Sequence, residues 1–144
     1  LLIKVSGIYA FTRVFFSVFG LTASLSQVLM WLGVVSIVVA AFLALGQSDL
    51  KRLLAYSSIS QVGYVVLGLG IGTPLGIAGG LFHLFNHALA KGLLFLNSGS
   101  VQMATGTRNI DEMGGLAKRM PLTAATSIVG SLSISGVPPL AGFW

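Results

Sequence analysis

The sequence predicts an all-α fold: a polytopic bundle of about five membrane-spanning helices, the last broken at Gly136, Pro138 and Pro139. Three observations carry that prediction. Mean hydropathy is +0.95 and 55% of the residues are hydrophobic. Only 8% are charged, where a soluble domain carries about 25%. Eight Lys and Arg with three Asp and Glu cannot cover a water-facing surface. Finally, five apolar stretches qualify or nearly qualify for the ~20 residues a spanning helix needs.

The first stretch covers residues 1–19, and the second, "QVLMWLGVVSIVVAAFLALG", covers 27–46. The third covers 51–71, the fourth 76–103 and the fifth 120–144. "FGLTASLS", "QSDL" and "GIGTPLG" form the first three joints, and "ATGTRNIDEMGGLAKRM" precedes the fifth stretch. Ser48 or Asp49 is placed to cap the third helix, since either side chain can accept an orphan backbone N–H. Pro121 falls in the first turn of the fifth, where its missing N–H costs nothing. The chain opens on Leu1 and stops at Trp144 inside an apolar stretch, so residues 1–144 read as an internal fragment of a longer membrane protein.

Charge placement gives a topology and removes some functions. Lys51 and Arg52 lie in one joint and Arg108, Lys118 and Arg119 in another, while the alternate joints hold none. Arg13 lies near the end of the first stretch. Positive residues favour the cytoplasmic side, which places those two joints there and suggests a prokaryotic inner or plasma membrane. The net charge of +5 comes from single or paired cations and not from a run, so the expected partners are the bilayer and other membrane subunits and not nucleic acid. There is no cysteine, which excludes disulfides and thiolate metal sites. No phosphate loop or redox-cofactor motif is present, and no cofactor is expected.

Against that background several polar residues stand out. Lys4 lies in "LLIKVSGIYAF"; it either snorkels from a helix end or sits deep in the membrane. In "GGLFHLFNHALAKGLLFLNSGSV", His83, His87 and Lys91 recur every four residues, so they share one stripe of a helix. Lys91 lies 15 residues beyond Gly76, roughly 22 Å of helix, out of easy reach of the starting interface. A charge at that depth costs at least about 2.5–3.5 kcal/mol, so it should face protein or a wet cavity.

Three readings fit this stripe. A histidine pair at this spacing can bind metal, but no carboxylate or cysteine accompanies it and Lys91 would repel a cation, so no metal is expected. The histidines could be satisfied core residues. They could also form a proton relay, since histidine changes charge near neutrality, with Asn86 and Ser98 helping to hold water. Ser57, Ser58, Ser60, Gln61 and Tyr64 in the preceding helix form either a wet lining facing the stripe or interhelical glue. Gly136, Pro138 and Pro139 break the final helix, as at transporter ion sites or as a plain kink.

"SDLKRLLAYSSISQVGY", "FHLFNHALAKGLLFLNSGSV" and "GGLAKRMPLTAATSIVGSLSISGVPPLAGFW", in this order, resemble the antiporter-like proton-translocating membrane subunits. These occur in respiratory complex I, Mrp-type cation/proton antiporters and energy-converting hydrogenases. The resemblance implies that residues 1–144 span roughly the family's helices eight to twelve. It also implies roles. Lys4 matches the lysine joining two half-channels, and Lys51 the lysine opening a helix of the next repeat. His83, His87 and Lys91 match the relay stripe, and Gly136, Pro138 and Pro139 the broken helix. The expected function is translocation of protons, or Na⁺/H⁺ exchange, by a lysine, histidine and water relay. Any electron transfer would belong to partner subunits of an NADH:quinone oxidoreductase-like or hydrogenase complex. The family's upstream glutamate–lysine pair and terminal helix-twelve lysine or glutamate have no counterpart in these residues. A structural helix-packing subunit and a solute transporter are the competing classes.

Overall fold

The computed structural model describes residues 2–20 and 22–143, and the side chains of all of these except residues 2–5 and 19. Six helices follow in order: α1 (Leu2–Val14), α2 (Ala23–Leu45), α3 (Leu50–Ile71), α4 (Pro74–Thr105), α5 (Leu116–Arg119) and α6 (Pro121–Ile134). A π turn at Phe15–Phe19 extends α1, and a 3-10 turn at Ile110–Glu112 lies between α4 and α5. The described residues contain no strand. Helices α2 and α3 are each long and apolar enough to cross a membrane. Helix α4, at 32 residues, is about 48 Å long.

The helix ends follow local chemistry. The Asp49 carboxylate caps α3, accepting from the N–H groups of Lys51 at 2.8 Å and Arg52 at 3.1 Å. Thr73 Oγ1 accepts from Gly76 N–H at 3.1 Å, and Pro74 opens α4. Gly72 and Gly106 end α3 and α4 in left-handed conformations, which glycine adopts without a Cβ penalty. Helix α2 begins at Ala23, four residues before the expected start at 27. The reason is that Ser26 Oγ donates to the Gly70 carbonyl of α3, so a hydroxyl expected in a joint is satisfied within the helix pair.

Helices α2, α3 and α4 pack as successive antiparallel neighbours, and glycines set how closely they approach. A Cβ on Gly63 would lie 2.8 Å from the Gly33 carbonyl oxygen of α2, and one on Gly68 would lie 2.9 Å from the Gly76 oxygen of α4. Small residues allow such contact between membrane helices, where dispersion and not water exclusion drives association. Ile8 of α1, Val65 and Leu69 of α3 and Leu84 of α4 form a buried apolar cluster. Trp31, Phe42 and Leu45 of α2 remain exposed, an apolar face suited to lipid.

Helix α6 runs antiparallel to α4 and stops at the expected break. Gly136 takes φ 73° and the Pro138–Pro139 peptide is cis. Residues 137–143 continue as turns. Gly142 packs on the Ser133 carbonyl so closely that a Cβ there would collide with it. Asn97 Nδ2 donates to Thr126 and Ser127 hydroxyls, each at 3.0 Å, and ties α4 to α6.

The loop before α3 and the loop after α4 meet at one end of the bundle. Leu50 N–H donates to the Arg108 carbonyl at 3.0 Å and Ile110 N–H to the Ser48 carbonyl at 2.8 Å. The Arg52 and Lys51 N–H groups, together with the Arg108 and Arg52 charges, hold the Asp49 carboxyl below its usual 3.8. A depressed carboxyl stabilises the fold above its unfolded pKa, and that contribution fades as pH falls below it. Asp49→Ala in the full-length protein should therefore lower the thermal midpoint by a few degrees at neutral pH. The difference from wild type should shrink as pH falls from 3.8 through the lower value of the folded state, below which the carboxyl is protonated in both states. A deficit independent of pH would contradict the assigned cap.

Candidate functional site

The polar residues of α3 and α4 meet along the inner face of this helix pair. On α4, four-residue spacing stacks His83, His87 and Lys91, and the two imidazole rings lie 6.3 Å apart at 22°. On α3, Ser57 and Gln61 repeat the same spacing and face that stripe. His83 Nε2 lies 2.8 Å from Gln61 Oε1, and the Tyr64 ring is 5.9 Å from the His83 ring. Lys91 Nζ donates to Ser57 Oγ and, at 3.3 Å, to the Leu54 carbonyl. Ser57 and Ser58 also donate to the Leu54 carbonyl, at 3.1 and 2.8 Å.

Burial separates these groups. Lys91 is 2% exposed and His87 7% exposed, whereas His83 is half-buried. Lys91 is among the largest fully buried side chains described. The amine lies near the start of α3, because Leu54 follows Lys51 by three residues, about 4.5 Å of helix rise. Lys51 thus occupies the end of the helix that receives Lys91. Lys4 lies within α1, but its side chain falls outside the described residues.

Two cavities flank the stripe. One of about 480 Å³ lies between α1, α3 and α4 and is lined by Ile8, Ser58, His87 and Lys91 among others. Another, of about 340 Å³, lies toward the start of α4 and is lined by Tyr64, His83, Asn86 and Gly142. Between the histidines and the broken helix is a crevice of about 10 Å³, bounded by Gln61, His83, His87 and Ser133. A single water needs roughly 10–15 Å³, so this crevice is at the limit of holding one.

The remaining polar residues divide by direction. Ser60 faces away from the stripe and donates to the Ile37 carbonyl of α2 at 3.1 Å. Ser98 donates to the Phe95 carbonyl of its own helix. Asn86 Nδ2 donates to the Ala141 carbonyl at 3.0 Å, clasping the turns after the break to α4. Gly136, Pro138 and Pro139 shape those turns, which bring Gly142 to the His83 side. No group of three or more His, Cys, Asp or Glu that could hold a metal occurs among the described residues. The Leu54 carbonyl is the element that residue patterns did not reveal, since a main-chain acceptor carries no sequence signal.

Comparison with known proteins adds a family. The model of the NADH:quinone oxidoreductase/Mrp antiporter transmembrane family matches residues 1–144. NADH-quinone oxidoreductase subunit N of Desulforudis audaxviator is 43% identical over 144 residues, covering 98% of this chain and 28% of that protein. F(420)H(2) dehydrogenase subunit M of Methanosarcina mazei is 42% identical, covering 99% of this chain and 29% of the relative. Chloroplastic NAD(P)H-quinone oxidoreductase subunit 5 of Chaetosphaeridium globosum is 45% identical, covering 96% of this chain and 22% of the relative. Among solved structures, a chain of the membrane-bound sulfane sulfur reductase, an archaeal respiratory membrane complex, superposes with a TM-score of 0.87 at 40% identity. That match covers 96% of this chain and 29% of the other. The chain thus spans less than a third of the length of these relatives.

Proposed function

The chain belongs to the NADH:quinone oxidoreductase/Mrp antiporter transmembrane family, and from that premise we propose that its His83–His87–Lys91 stripe carries protons within a multisubunit membrane complex. The observation that supports this most is the position of the stripe. His83 lines one cavity, His87 and Lys91 line the other, and the space beside the two histidines is too tight for more than about one water. Protons crossing between the cavities would pass by way of these side chains. Lys91 rests on neutral oxygens of α3 that can orient an amine while leaving it able to release its proton. A charge arriving at one station changes the field at the next, and low surrounding dielectric makes that influence strong.

The wider reading follows from the relatives. They are subunits of an NADH-quinone oxidoreductase, an NAD(P)H-quinone oxidoreductase and an F(420)H(2) dehydrogenase, so the expected partners of this chain are other membrane subunits of such an assembly. Electron transfer would reside in those partners. Lys51 would act as a flanking charge near Lys91, and Lys4 as a further station on α1. The transported ion is the proton, with Na⁺ exchange as the variant, and the host is an energy-converting membrane of a prokaryote or of an organelle with such complexes.

His87→Phe tests the reading because it keeps an aromatic ring at a buried position and removes the titratable nitrogens. In the full-length protein, assembled in its complex and reconstituted in vesicles, proton translocation should fall by about tenfold or more. Assembly should persist. Translocation at the wild-type rate would overturn the relay.

A further inference from the structure

Gln61 has a chemical consequence for its partner that packing alone does not require. Its Oε1 lies 2.8 Å from His83 Nε2. With the amide oxygen turned toward the ring, as it stands here, the oxygen accepts and Nε2 is the nitrogen that donates. A neutral imidazole bears one proton, which leaves Nδ1 as the bare nitrogen. Unlike a carboxylate, a glutamine amide does not keep a transferred proton at physiological pH. Gln61 thus holds the Nε2 proton of His83 without being able to take it away.

We infer that Gln61 is a positioning residue that fixes His83 as the Nε2–H tautomer and so confines its proton exchange to Nδ1. The role in transport rests on the relay proposed above; the tautomer assignment does not. Passage of a proton through His83 from Nδ1 to Nε2 then requires the Gln61 side chain to turn. Turned by half a rotation about its last bond, the amide presents Nε2–H to the ring and suits the opposite tautomer. Gln61 is half-buried on α3 and bounds the narrow crevice beside both histidines, so it sits where such a turn would be felt.

The test is spectroscopic. Full-length protein with ¹⁵N-labelled histidine is reconstituted in lipid, and the His83 signals are identified by their loss in His83→Phe. The expected wild-type spectrum shows neutral His83 in one tautomer, protonated at Nε2. Gln61→Leu, which removes the acceptor, should lose that single-tautomer spectrum. Gln61→Glu, which keeps an oxygen in the same place, should retain the Nε2–H signature. A wild-type His83 protonated at Nδ1, or an unchanged tautomer in Gln61→Leu, overturns the inference. The two proposals fail separately: normal translocation by His87→Phe sinks the relay while leaving the His83 spectra as evidence for Gln61.

Discussion

Gly63→Val should prevent stable packing of α2 on α3. A Cβ at residue 63 would stand 2.8 Å from the Gly33 carbonyl oxygen and 2.8 Å from Ile37 Cγ1. The isoleucine could move, but the carbonyl belongs to the helix backbone and can retreat only if the whole helix does. Valine adds two further methyl groups. Overpacking costs about 1–3 kcal/mol where side chains can adjust, so a backbone-limited site should reach the upper end of that range or exceed it. Separation of the helices would also loosen Ser60 from the Ile37 carbonyl and Ser26 from the Gly70 carbonyl, leaving polar groups in an apolar setting. Gly79→Ala is the matched control, because a Cβ there meets nothing within 4 Å. Thermal unfolding in detergent should show a large loss for Gly63→Val and little change for Gly79→Ala. Equal midpoints for the two variants would contradict the close helix contact.

Lys91→Met should separate stability from transport. Lys91 is buried to 2% exposure, and holding a cation in such a place is costly. Methionine has similar length and flexibility and carries no charge. The oxygens that receive the amine would not be stranded: Ser57 and Ser58 both donate to the Leu54 carbonyl without it. The variant should therefore fold and assemble with a thermal midpoint at or above the wild-type value. Proton translocation should nevertheless be lost, since methionine cannot carry a proton. If Lys91 served only to hold helices together, the same change would weaken assembly and spare transport in whatever assembled.

The sequence was informative where the physics is local. Apolar stretches of spanning length, Asp49 ahead of Lys51 and Arg52, and Gly136 beside two prolines each specify a structure over a few residues, and helix, cap and break occur where those signals lie. Four-residue spacing also placed His83, His87 and Lys91 on one stripe. Patterns could not tell which way each member of a polar cluster would turn. Ser57 and Ser60 are three residues apart, yet one meets Lys91 and the other the Ile37 carbonyl. That division depends on the register between three helices, which Gly33, Gly63 and Gly68 set through close backbone contact. The return of residues 141 and 142 toward Asn86 and His83 was likewise hidden, because it follows from how the chain folds after the break.

Proton conduction along the α4 stripe is distinguished from mere packing by one experiment. The full-length Lys91→Met protein, in its assembled complex, is placed in sealed vesicles, and the driving reaction and the proton gradient are recorded together. A relay through Lys91 gives intact assembly with the gradient lost. A wild-type gradient formed by a fully assembled Lys91→Met complex would contradict it.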